Sequence, residues 1–156
     1  MKHSVINGGL RLPAAMAFVL AIGACGHHFE PPVESDRVAE AEALYSAEIF
    51  DSLTWGSDYD RALAGNGVYV DKCRKCHGPL GDGATEYAQG RGLDVPSLVA
   101  LDWNFSGGLE SVRRQVFTGH EGGMPAFGTS GLSPREIDGA AYYVVAQLRP
   151  EMLQQD

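Results

Sequence analysis

Cysteine is scarce in this chain: Cys25, Cys73 and Cys76 are the only three in 156 residues. So few thiols exclude a domain held together by a disulfide framework. Basic residues are short as well, 12 against 20 acidic ones, for a formal charge of −8. That deficit argues against a nucleic-acid-binding surface. No apolar run approaches the roughly 20 residues a helix needs to cross a bilayer; the stretch 12–22 has 11 residues and contains Pro13. Nowhere is the apolar–polar alternation of a half-buried strand sustained, and no internal repeat is present. What remains is an all-α class. Irregular backbone, by contrast, is plentiful: 20 Gly and 8 Pro in a chain that is 44% hydrophobic promise a globular domain whose loops matter.

Lys2 and Arg11 precede the 12–22 run, which reads as the core of a signal peptide. Directly after it stands Ile22-Gly23-Ala24-Cys25, which resembles the bacterial lipobox, whose cysteine receives a diacylglycerol. An ordinary secretory cleavage site with a leftover thiol is the alternative, but a lone exposed thiol in an oxidising compartment is a liability. One acyl chain holds a protein only marginally, whereas two or three on Cys25 make a lasting anchor. Residues 26–36, with two histidines, Pro31-Pro32 and two glutamates, suit an exposed spacer.

Helical periodicity predicts four further elements. The first covers 36–50, with Val38, Ala41, Tyr45 and Ile49 on one face. A second covers 59–75, capped by Ser57 or Asp58, and contains Gly65 and Gly67 at about 1 kcal/mol each relative to Ala. After turn-like chain over 78–95, a third covers 109–119 with Ser106 as its cap. The last opens on a capping box, Ser133 with Glu136, and Pro134 at its first position; Ile137, Ala141, Val144 and Leu148 form its apolar stripe, and Arg149-Pro150 closes it.

At the end of the second helix and just beyond it lies Cys73-Arg74-Lys75-Cys76-His77, the CxxCH signature of c-type haem attachment. Two thiols three residues apart can add to the two haem vinyl groups, and the adjacent histidine then sits under the iron. A structural zinc site would need four ligands, usually as two spaced pairs, and a redox dithiol a βαβ context; the sequence supplies neither. At this point the chain resembles the class I cytochrome c family, over residues 60–149. In that family a glycine and an aromatic, here Gly65 and Tyr69, pack the first helix against the last. Gly78, Gly81 and Gly83 resemble its tight loop after the haem motif. Pro96-Ser97-Leu98 resembles its Pro-x-Leu element, in which the proline carbonyl accepts the N–H of the proximal histidine and the leucine packs on the haem. Gly123-Met124-Pro125 resembles its distal loop, which makes Met124 the sixth ligand opposite His77; His120, four residues earlier, is the competitor.

The resemblance further implies that Trp103, Asn104 and Phe105 line the buried haem edge, with Trp103 or Asn104 donating to a propionate or merely packing and solvated. Arg113 and Arg114 either pair with propionates or face solvent. Lys72, Arg74 and Lys75 either steer an acidic partner to the haem edge or solvate a helix end. The expected organisation is a signal peptide over 1–24, a lipidated N-terminus with spacer and extra helix over 25–57, a cytochrome domain over 58–150 and a tail over 151–156. One haem c bound through Cys73 and Cys76, with both axial positions filled by protein, implies an electron carrier between redox protein partners rather than an enzyme. No small-molecule substrate and no nucleic acid is expected. Its expected place is the periplasm-facing cell envelope, on a lipid anchor, and Gly26 after the lipid cysteine points to the outer membrane. Two alternatives stand beside this: an obligate cytochrome subunit of a membrane-bound oxidoreductase, docked through the extra helix, and an open-site haem sensor or peroxidase-like protein.

Overall fold

Ser57 starts the helix that carries the cysteine pair. Its extended backbone breaks the preceding chain, and its Oγ accepts the Asp60 N–H at 3.1 Å. The computed structural model describes residues 33–103 and 108–154, and among these every regular element is helical. The order is α1 Glu34–Leu44, a 3-10 turn Ala47–Phe50, α2 Asp58–Val68, a π-helical turn Tyr69–Cys73, α3 Arg74–His77, α4 Glu86–Gly90, α5 Gly108–Thr118, α6 Pro134–Tyr143, a second π-helical turn Val144–Leu148, and α7 Arg149–Leu153. The all-α expectation holds.

Four expected boundaries move, each for a local reason. The helix expected over 36–50 ends at Leu44, because Tyr45 and Ser46 are extended and the Ser46 hydroxyl caps a new turn at Glu48 N. That break turns the Tyr45 ring edge-on to Phe117, with ring centroids 5.4 Å apart. The helix expected over 59–75 runs on to His77, widened by the π turn. The 78–95 stretch contains α4, capped by Thr85 Oγ1 on Ala88 N at 3.1 Å. Arg149-Pro150 does not close the last helix: Pro150 has no N–H and its ring crowds the carbonyl four residues back, and the preceding π turn opens the ladder there. The Ser133–Glu136 capping box forms as expected. The Ser106 cap lies outside the described residues, as do the signal peptide, Cys25 and most of the spacer.

The core sits where α5 meets α6. Phe117, Ile137, Ala141, Val112 and Val116 are buried together with Ala41 of α1 and Phe50 of the 3-10 turn, so residues 33–57 share this core. Burying each large apolar side chain is worth about 1.5–3 kcal/mol. The Ala41 face of α1 is therefore packed on its own domain. α2 crosses α6 on bare backbone: a Cβ on Gly65 would lie 1.9 Å from the Gly139 carbonyl oxygen, while one on Gly67 would meet nothing within 4 Å. Only the first glycine is required by packing.

Asp138 is fully buried at the back of this crossing. It accepts from Trp55 Nε1 at 2.7 Å, Arg61 Nε at 2.9 Å and Arg113 Nε at 2.8 Å, joining the loop before α2 to α2, α5 and α6. Arg113 is thus neither solvated nor free for a propionate, and Arg114 pairs with Glu42 of α1. Burial alone would raise the Asp138 pKa, but hydrogen bonds from Arg61, Arg113 and Trp55 outweigh it and hold the carboxyl below its usual range.

Two stability predictions follow from these contacts. In urea unfolding followed by circular dichroism, Gly65→Ala should cost about 3 kcal/mol by overpacking, while Gly67→Ala should gain about 0.5–1 kcal/mol. Equal effects at the two positions would contradict the crossing. Asp138→Asn should cost about 3–5 kcal/mol at neutral pH by leaving two half-buried arginines without their carboxylate. Because the folded pKa of Asp138 is depressed, its carboxylate contributes stability above about pH 4 that is lost as pH falls through the lower folded value. The variant should therefore lose less stability than the wild type over that acid range, measured by thermal unfolding at stepped pH.

Candidate haem site

The π turn at Tyr69–Cys73 precedes the CxxCH segment, and three polar contacts then fix the backbone of that segment. Thr85 Oγ1 donates to the Cys76 carbonyl at 3.2 Å, Gly83 N to that of His77 at 2.9 Å, and the buried Tyr69 hydroxyl to that of Gly78 at 2.7 Å. Gly78 has φ +79°, which ends α3 as few other residues could. Cys73, Cys76 and His77 consequently line one wall of a cleft of about 1020 Å³, measured out to its open mouth.

The loop after α5 also lines the cleft. Gly119 has φ +67°, and a Cβ there would lie 2.4 Å from the Met124 carbonyl oxygen, so the loop folds back at once. His120 N donates to Met124 O at 2.9 Å and Met124 N to His120 O at 3.2 Å, closing a tight turn that sets Met124 into the cleft. His120 lines the cleft but is exposed, and its Nδ1 accepts the Gly122 N–H at 2.7 Å. With Nδ1 so engaged, the neutral ring carries its proton on Nε2, leaving neither nitrogen with a free lone pair.

The side walls are apolar. Leu93, Val95, Pro96 and Leu98 close one flank, Val112, Val116, Ala140 and Val144 the floor. Leu98 N donates to Gly81 O at 2.7 Å, and Gly83, with φ +77°, admits the Val95 carbonyl where a Cβ would be 2.3 Å away. These contacts bring Pro96 and Leu98 to the cleft as expected, but the Pro96 carbonyl does not bond His77. A Cβ on Gly83 would lie 3.4 Å from that oxygen, and His77 Nδ1 is buried without a hydrogen-bond partner. Trp103 lines the cleft under the guanidinium of Arg149, 4.5 Å from the ring centroid, and Arg149 donates to the Leu98 carbonyl at 2.7 Å. Asn104 and Phe105 lie outside the described residues.

Charge around the mouth differs from the sequence reading. Lys72 is paired with Asp71 at 2.9 Å, while Lys75 and Arg91 both stack on Tyr87, at 4.0 and 4.5 Å from its centroid. Arg91 joins the basic group through α4, an element whose Thr-Glu cap was the overlooked signal. Sequence reasoning also missed Gln115, a lone amide at the edge of the α5 apolar stripe, which reaches into the cleft.

The donor set fits a c-type haem. Burial lowers the His77 pKa, as does the charge of His120, so the imidazole is neutral and able to ligate. Burial also pushes the Cys73 thiol up to about 12, with Cys76 adding to it. Such a thiol is the reverse of the acidified thiolate that redox dithiols use. A nitrogen donor, a thioether donor and two thiols line the same mainly apolar cleft.

Residues 60–144 match the family described as cytochrome C oxidase, cbb3-type, subunit III. The chain is 33% identical over 81 residues to the Cbb3-type cytochrome c oxidase subunit FixP of Rhizobium etli, covering 49% of this chain and 26% of that protein. It is 31% identical over 91 residues to subunit CcoP of Cereibacter sphaeroides, covering 57% and 29%. To CcoP of Rhodobacter capsulatus it is 27% identical over 139 residues, covering 76% and 45%. The chain thus spans between about a quarter and just under half of these relatives' lengths. No solved structure matches it. Helices, cleft and family match agree over the same residues: the chain belongs to the cbb3-type cytochrome c oxidase subunit III family and is a c-type cytochrome.

Proposed function

We propose that the chain is the electron-carrying cytochrome subunit of a membrane-bound oxidoreductase complex, with one haem c held through Cys73 and Cys76 and ligated by His77 and Met124. The observation that carries this is one mainly apolar cleft whose lining includes His77, Met124 and both thiols of the CxxCH segment. Bound there, the haem supplies one-electron exchange between Fe(II) and Fe(III). The chain's own part would be to keep His77 and Met124 fixed and to exclude water, so that little rearranges when an electron passes. With both axial sides occupied by protein, no position is left for a substrate, so this chain is a carrier and not the catalytic subunit.

The subunit reading is preferred to a free carrier because the matched relatives bear the names of oxidase subunits. Among the described residues no helix is long and apolar enough to cross a membrane. Acylation of Cys25 after removal of residues 1–24 supplies the membrane attachment in this proposal, on the periplasm-facing side of the cell envelope. Met124 rather than His120 is the sixth ligand because the His120 ring folds back on Gly122, where a Cβ would meet its Cε1 at 2.3 Å, and both nitrogens are committed.

Purification of the native protein from mild-detergent extracts tests the assembly. The chain should co-purify in fixed ratio with other oxidoreductase subunits, keep its haem through acid–acetone extraction, and after Cys25→Ala keep the haem but leave the membrane fraction. A wild-type haem that extracts, or a protein that purifies alone, would count against the proposal. The ligand assignment has its own check. Met124→Ala should abolish the weak near-infrared sulfur-to-iron band of the oxidised protein, admit carbon monoxide to the reduced protein and lower the potential. His120→Ala should leave all three nearly unchanged.

A further inference from the structure

The last turn of α5 presents Gln115 to the cleft, and its Nε2 donates to the Gly119 carbonyl at 2.9 Å. The same Nε2 lies 4.0 Å from the Sδ of Met124, at the outer limit of a hydrogen bond to sulfur. A primary amide has two N–H groups, and here they point at two different acceptors. The Gly119 carbonyl, which also accepts from Thr118 Oγ1 at 3.4 Å, decides which end of the amide faces the sulfur. Flipping the amide would set two carbonyl oxygens against each other. An N–H therefore faces the thioether.

A thioether sulfur has two lone pairs. In the ligation proposed above, one serves the iron, and the second is open to a donor. We propose that Gln115 is a positioning residue for Met124: it occupies that second lone pair, fixes which one is offered to the metal, and weakens the sulfur as a donor. The inference rests on Met124 being the axial ligand. Its chemical consequence has a definite sign. A weaker sulfur donor stabilises Fe(III) less than Fe(II), so Gln115 raises the potential. Its mechanical consequence is separate. Gln115 ties the Gly119 carbonyl, the start of the distal loop, to the side chain at the loop's far end, so the turn and the thioether move as one.

Gln115→Leu, in the haem-loaded protein, removes both N–H groups with little change in volume. Three readouts should move together: the potential falls, the near-infrared sulfur-to-iron band persists at a shifted wavelength, and added imidazole displaces Met124 from Fe(III) less readily, because the sulfur regains donor strength. That displacement should become harder by about threefold to tenfold, the range that one net hydrogen bond is worth. A helix-packing role alone would lower thermal stability without shifting the band or the potential. Should Gln115→Leu not fold, Gln115→Glu keeps the length and removes the N–H groups, and displacement by neutral imidazole, which its charge does not repel, is the readout. A folded variant with wild-type potential, band and displacement overturns the inference. A wild-type protein without the near-infrared band overturns Met124 as ligand instead, and the inference falls with it.

Discussion

Two helices touching through bare backbone set where everything else in this domain stands. The Gly65–Gly139 crossing brings α2 against α6 with no side chain between them. Its two ends then have opposite characters. One end continues into Tyr69 and the CxxCH segment, with Ala140 and Val144 of the last helix as the cleft floor. At the other, Asp138 gathers Trp55, Arg61 and Arg113. A crossing one methyl wider would loosen the wall that holds the thiols and the ion cluster that holds the back.

The division of labour follows from dielectric. The cleft walls are apolar and carry donors that are neutral, a desolvated imidazole and a thioether. The charges needed to pin four segments together are kept behind the crossing, where one carboxylate meets two guanidinium groups and an indole N–H. A buried cluster of this kind gives geometry more surely than stability, since its attraction offsets a large desolvation cost. Separating the two keeps this buried ion cluster out of the cleft lining.

Legibility in the sequence tracked the distance over which each feature is encoded. CxxCH is five contiguous residues, because thiols and ligand must share one turn of backbone. The Ser133–Glu136 box and the Met124-Pro125 loop are equally local, and each lies where it was read. Gly65 stood out because a helix interior has no reason of its own to hold glycine. The Asp138 cluster was invisible, its partners lying 77 and 25 residues away in sequence, and Arg113 therefore passed for a surface residue. The Pro96 carbonyl was misjudged for a related reason: a motif names residues but not the direction in which a loop turns its oxygens.

The two π-helical turns have a consequence for counting. Each inserts the equivalent of one extra residue into an α ladder, so the chain before Tyr69 and the chain after Cys73 are out of phase by about 100° on a common helical wheel. The same slip recurs between Tyr143 and Arg149. Faces computed across either junction are wrong by a quarter turn or more. Grafting the CxxCH segment onto a straight helix at its literal spacing from Gly65 would therefore aim both thiols past the cleft, whereas a graft shortened by one residue between Tyr69 and Cys73 would keep their direction.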